Sequence, residues 1–128
     1  MSLVTPLNRV LGLGSAKDGT EHWWGQRLSA VALAVLGVWL VIAVIGLESF
    51  GYAAVVAWAQ SPLTSVLLIL TVLTLCYHSQ LGVQVVVEDY VHASGLKVAT
   101  LIVVTFAHIL LAAAGVFAVL KLAFGATA

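Results

Sequence analysis

The segment Leu63 to Tyr90, LTSVLLILTVLTLCYHSQLGVQVVVEDY, decides the reading of this chain. Its apolar part, Leu63 to Val87, contains no Asp, Glu, Lys or Arg. At a rise of about 1.5 Å per residue, a helix of that length crosses a hydrocarbon core of about 30 Å. Two runs of the same kind flank it, Leu28 to Leu47 and Val98 to Phe124. A lipid-exposed span must satisfy its own backbone hydrogen bonds, and runs this long without polar alternation read as helices rather than barrel strands. The expected fold is therefore an all-α membrane bundle: one anchor domain over residues 1–128, with three transmembrane helices at approximately 28–48, 63–87 and 98–124.

Composition agrees with that reading. Of the 128 residues 62% are hydrophobic and 8% charged, against about a quarter charged in a typical soluble domain. Five basic residues balance five acidic ones, so there is no basic face for nucleic acid and no acidic tail for a basic partner. The single cysteine, Cys76, cannot close an intramolecular disulfide or build a cysteine-based zinc or iron–sulfur site. Any metal chemistry must rest on histidine. Three spans consume most of the chain, which leaves no room for a soluble catalytic domain. The first apolar run exceeds a signal-peptide core and no cleavage site follows it, so it is expected to remain in the mature protein.

The connections, Glu48 to Pro62 and Glu88 to Lys97, are read as short and polar, punctuated by Gly51, Ser61-Pro62 and Ser94-Gly95. Basic residues are uneven. Arg9, Lys17 and Arg27 precede the first span, Lys97 follows the second, and Lys121 stands alone near the C-terminus. The positive-inside rule then puts the N-terminus and the Glu88 to Lys97 loop in the cytoplasm and the C-terminus outside. Trp23, Trp24, Tyr52 and Trp58 suit aromatic belts at the two interfaces. The segment Gly12-Leu13-Gly14-Ser15-Ala16-Lys17 lacks the glycine spacing and the preceding strand of a phosphate loop.

His78 is the candidate for chemistry. Ionisable groups inside a span are costly, and their presence points toward function. Two roles fit its position: an inter-helical hydrogen bond, or an axial ligand to haem iron in a dry bundle core, with the second ligand from another chain or from His108 on the third span. Asp89 follows eleven residues later and Tyr90 twelve. Eleven steps of about 100° return to within about 20° of the start and rise about 16 Å, so His78 and Asp89 share a helix face, and Gly82 lies near it one turn on. Glycine there admits a flat macrocycle or simply a neighbouring helix. Asp89 and Tyr90 stand where the span emerges and suit either a solvated end or a site. Arg27 is either an anchor snorkelling to headgroups or a bidentate partner for a carboxylate such as a haem propionate. His22 and His92 lie outside the apolar runs and read as exposed.

The spacing His78-Ser79-Gln80-Leu81-Gly82 followed by Asp89-Tyr90-Val91 resembles the second transmembrane helix of the family of hydrophobic membrane anchors of succinate dehydrogenase, respiratory complex II. Gly14-Ser15-Ala16-Lys17-Asp18-Gly19 through His22-Trp23-Trp24, with Gln26-Arg27-Leu28-Ser29-Ala30 opening the first span, resembles its α-proteobacterial branch. The three-span layout matches throughout; the third span matches mostly in composition. The resemblance implies a heterodimeric anchor bundle in the bacterial inner membrane, formed with a companion anchor subunit and joined to an iron–sulfur subunit and a flavoprotein subunit. It implies that His78 is one axial ligand of haem b, the other histidine coming from the companion anchor. It also implies that Tyr90 hydrogen-bonds a ubiquinone carbonyl with Asp89 supporting it, and that Arg27 lies near the haem propionates. It assigns no role to His108. A quinol:fumarate reductase anchor shares this architecture, and a small transporter using His78 and Asp89 as a proton relay is the rival from another class.

Overall fold

The computed structural model describes residues 16–125, with side chains described from Thr20 onward. Arg9, the Lys17 side chain and most of the Gly12 to Lys17 segment lie outside the described residues. Four helices follow in order: α1 (Ala16–Ile45), α2 (Tyr52–Gln60), α3 (Pro62–Tyr90) and α4 (Ser94–Gly125). Among the described residues there are no strands. Three stretches are long and apolar enough to cross a membrane: Thr20–Ile45, Pro62–Tyr90 and Ser94–Gly125. The chain is thus an all-helical, multi-pass membrane protein.

The helices overrun the apolar runs at most ends. Hydropathy changes at Leu28, but no proline lies between Ala16 and Leu28 to interrupt the helix, so α1 starts well upstream of the apolar run. Pro62 opens α3 at the first helical position, where its missing N–H costs nothing. Val91, with φ −94° and ψ 104°, is extended backbone and ends the helix.

The connection after the first span differs from expectation. Most of it is not polar loop but the helix α2, whose Val56 and Ala59 are buried. Its sequence, YAAVVAWAQ, is apolar and carries the good helix former Ala at four positions. Ser65 fastens the corner, its hydroxyl donating to the Ala59 carbonyl at 2.6 Å. Trp58, expected as an interfacial belt residue, stacks on Trp39 of α1 with centroids 6.4 Å apart and planes at 18°. Stacking and belt placement are compatible, since both residues lie toward the same end of the bundle.

Helix α3 is central, with α1 and α4 each packed along it and α2 resting on α3 and α4. Glycines permit both close approaches. A Cβ on Gly25 would stand 2.7 Å from Tyr77 Oη, and one on Gly115 would stand 2.6 Å from Val72 Cγ1. Burial is inverted relative to a soluble domain. Ser29, Thr64 and Ser65 are buried, whereas Leu28 is 70% exposed and Phe117 68%. In lipid the apolar exterior is at no disadvantage, and small residues with polar links hold the helices together.

Candidate functional site

The sequence marked His78, and the structure shows what surrounds it. His78 sits half-buried in the α1–α3 crossing, with both ring nitrogens facing side chains of α1. Ser29 Oγ lies 2.7 Å from the Gly25 carbonyl and 3.1 Å from the Gln26 carbonyl, so its one proton is committed to its own helix. The same oxygen is 3.0 Å from His78 Nδ1. With the hydroxyl proton already used, the oxygen accepts, and Nδ1 carries the proton. Nε2 therefore holds the lone pair, and the Gln26 side-chain amide donates toward it at 3.3 Å. An imidazole tied at Nδ1–H with Nε2 as the free base is the form a metal takes as ligand.

Among the described residues, the surroundings of Nε2 are not fully paired. Gln26 Oε1 is buried with no hydrogen-bond partner, and so is Nε2 of His22, one turn earlier on α1. His22 is thus half-buried rather than exposed, because α1 extends upstream of the apolar run and carries it along. Buried polar atoms in native proteins are almost always paired, so both atoms point to groups supplied from outside the described residues. Gly82 of α3 faces the same place, and a Cβ there would make an ordinary van der Waals contact with Gln26 Nε2 at 3.6 Å. His78 and Gly82 face the same α1 side chain, as their spacing predicts. Along the same crossing runs an apolar groove of about 370 Å³, lined by Gly25, Ser29 and Ala32 of α1 and Leu73, Thr74 and Tyr77 of α3. His78 is not among its lining residues.

The other span histidine, half-buried, finds partners for both ring nitrogens among the described residues. His108 Nδ1–H donates to the Val104 carbonyl one turn back at 2.8 Å, and Nε2 accepts from the Ser79 hydroxyl at 3.2 Å. Gln80 Nε2 donates to Thr105 Oγ1 at 3.4 Å beside it. These bonds form a polar seam between α3 and α4, and no orphaned polar atom accompanies them among the described residues.

At the Tyr90 end the backbone is pinned and the side chains are free. Lys97 Nζ donates to the Glu88 carbonyl at 2.7 Å, a cation on the last carbonyls of α3 where the helix dipole favours it. His92 Nδ1 donates to the Tyr90 carbonyl at 3.0 Å, and Gln84 holds Glu88 Oε1 at 2.8 Å. The Tyr90 side chain is 78% exposed, and Asp89 is exposed too. Arg27 is also exposed, its guanidinium 5.6 Å from the centroid of the Trp23 ring. Trp23 meets Trp24 edge-on at 5.0 Å.

Residues 1–118 match the family described as the succinate dehydrogenase/fumarate reductase transmembrane subunit. The chain belongs to this family. Similar proteins include the succinate dehydrogenase hydrophobic membrane anchor subunit of Paracoccus denitrificans, 32% identical over 98% of this chain and 97% of that one. The protein of the same name from Rickettsia bellii is 33% identical over 83% of this chain and 85% of its own length. A membrane anchor subunit of succinate dehydrogenase from Reclinomonas americana is 29% identical over 75% and 82%. No solved structure matches the chain. As a transmembrane member of this family, the chain works in association with other subunits of its complex.

Sequence reasoning missed Gln26 and Ser29 as chemical participants; they entered only as letters of a resembling motif. A signal was present. They are polar residues three apart where the first span begins, on one helix face, and polar side chains inside a span usually have a partner on another helix.

Proposed function

We propose that the chain is the hydrophobic membrane anchor of a succinate:ubiquinone oxidoreductase. It contributes one axial ligand to a haem b shared with a companion anchor subunit, and it contributes part of the quinone-reduction site. The observation that carries the reading is the state of His78, with Nδ1–H on Ser29 and the Nε2 lone pair beside unsatisfied polar atoms of α1. The donor set suits haem: one imidazole of the ligating tautomer, beside buried polar atoms of α1 left unpaired at a crossing that a second chain would complete. When bound, haem b would supply a one-electron store.

The residues of this chain then divide the work. His78 presents Nε2 to iron. Arg27, exposed at the same end of α1, supplies a guanidinium for the propionates. Tyr90 offers a phenol O–H to a ubiquinone carbonyl, and its backbone is held by Lys97 and His92 while the ring projects outward. Asp89 places a carboxylate next to it that can accept and pass on protons from the aqueous side. The iron–sulfur subunit, which takes electrons from the flavoprotein subunit, would dock at this end. In this reading the chain acts as a component of an enzyme, receiving electrons from its partner subunits.

The names of the relatives favour the succinate dehydrogenase anchor over a quinol:fumarate reductase anchor. The basic residues favour a bacterial inner membrane orientation with the N-terminus in the cytoplasm. Purification of the tagged chain from native membranes tests the whole reading. A flavoprotein, an iron–sulfur protein and a second anchor should co-purify with a dithionite-reducible b-type spectrum; a preparation without them contradicts it. A reporter fused after Ala128 should be inactive if it requires the cytoplasm.

A further inference from the structure

Ser29 is one of the few buried side chains among the described residues, 6% exposed, and its hydroxyl does two things at once. It donates to the Gly25 carbonyl at 2.7 Å and accepts from His78 Nδ1 at 3.0 Å. We propose that Ser29 is a positioning residue for His78: by committing its proton to the backbone of α1, it fixes the imidazole as the Nδ1–H tautomer and leaves the Nε2 lone pair, which faces the Gln26 amide here, as the one a metal would take in place of that amide. This rests on the reading of His78 as an iron ligand.

Three features of the chain make the arrangement directional. The hydroxyl proton has two carbonyls of its own helix in reach, at 2.7 and 3.1 Å, so it is not offered to the ring. Gly25 lets α1 approach α3 closely enough for the contact, since a Cβ there would meet Tyr77 and Leu81 at 2.7 and 3.3 Å. Gln26 approaches Nε2 with an N–H and not with its carbonyl, which agrees with a lone pair at that nitrogen. A hydrogen bond accepted from the remote N–H of a ligating histidine orients the ring and raises its basicity. A more basic imidazole favours ferric over ferrous iron, so Ser29 also holds the midpoint potential of the haem down.

A threonine at 29 keeps the hydroxyl acceptor. A cysteine keeps the volume and weakens it. The test is a redox titration and low-temperature EPR of haem b in the assembled complex, in membranes, for the wild type and for Ser29→Ala, Ser29→Cys and Ser29→Thr. Ser29→Ala and Ser29→Cys should shift the midpoint potential upward and change the g values of the ferric haem, with Ser29→Thr close to the wild type. A helix-packing role alone would leave potential and g values unmoved, and that result in Ser29→Cys overturns the proposal. If His78→Ala leaves the haem signal unchanged, the iron-ligand reading itself fails, and this arm keeps the two failures apart.

Discussion

Helix α3 carries a histidine-bearing seam on each side, and the two seams are built differently. Toward α4, His108 and Ser79 close a circuit: a backbone carbonyl takes one nitrogen and a hydroxyl the other, all within the chain. Toward α1, His78 is tied at Nδ1, but the group at Nε2 is an amide whose own oxygen is buried and unpaired. The α3–α4 seam is complete as it stands, whereas the α1–α3 seam has hydrogen-bonding capacity left for something else. What distinguishes the two is whether the chain satisfies its own polar atoms.

The largest predicted effect on packing falls on the closed seam. Gly115→Ala should destabilise the detergent-solubilised complex by about 1–3 kcal/mol in thermal denaturation, because the new methyl meets Val72, a branched side chain with one favoured rotamer in a helix. Gly25→Ala should cost less, since the nearest obstacle is the hydroxyl end of Tyr77, a half-exposed side chain that can swing aside, and the buried Leu81 Cδ1 at 3.3 Å has to give by only a few tenths of an ångström. Equal losses at the two sites would mean that the α1–α3 crossing is as tightly locked as its neighbour, and the comparison would break.

Tyr90 lies beyond both seams and should behave independently of them. A single hydrogen bond is worth about 1 kcal/mol net, so Tyr90→Phe should lower succinate:quinone reductase activity about fivefold. Succinate oxidation with an artificial acceptor and the haem spectrum should stay unchanged. Full quinone activity would leave Tyr90 as a belt residue. A smaller effect is expected at Ser79→Ala, which removes one bond from the closed seam. Bonds of this kind average about 0.6 kcal/mol in membranes, so melting should shift by no more than a few degrees, with no spectral change.

Much of this was legible in the sequence for a physical reason. The three spans are set by hydropathy, which needs no tertiary information, and helix periodicity alone places His78, Gly82 and Asp89 near one face of α3. The helix α2 was not legible: Tyr52 to Gln60 is too short to span a membrane and lies between turn residues, so hydropathy assigned it to the connection. The partners of the two histidines were not legible either. Ser29 lies forty-nine residues from His78, and only the crossing of α1 over α3 brings them together. Ser79 and His108 meet in the same way across α4, and neither spacing hints at it.

The proposed haem ligand lies in the α1–α3 seam and not in the α3–α4 seam. The direct measurement is the reduced-minus-oxidised optical spectrum of membranes holding the assembled complex, compared between His78→Ala and His108→Ala. His78→Ala should lose or shift the low-spin b-type bands, and His108→Ala should retain them. A spectrum unchanged in His78→Ala and abolished in His108→Ala would contradict the account and move the ligand to the seam between α3 and α4.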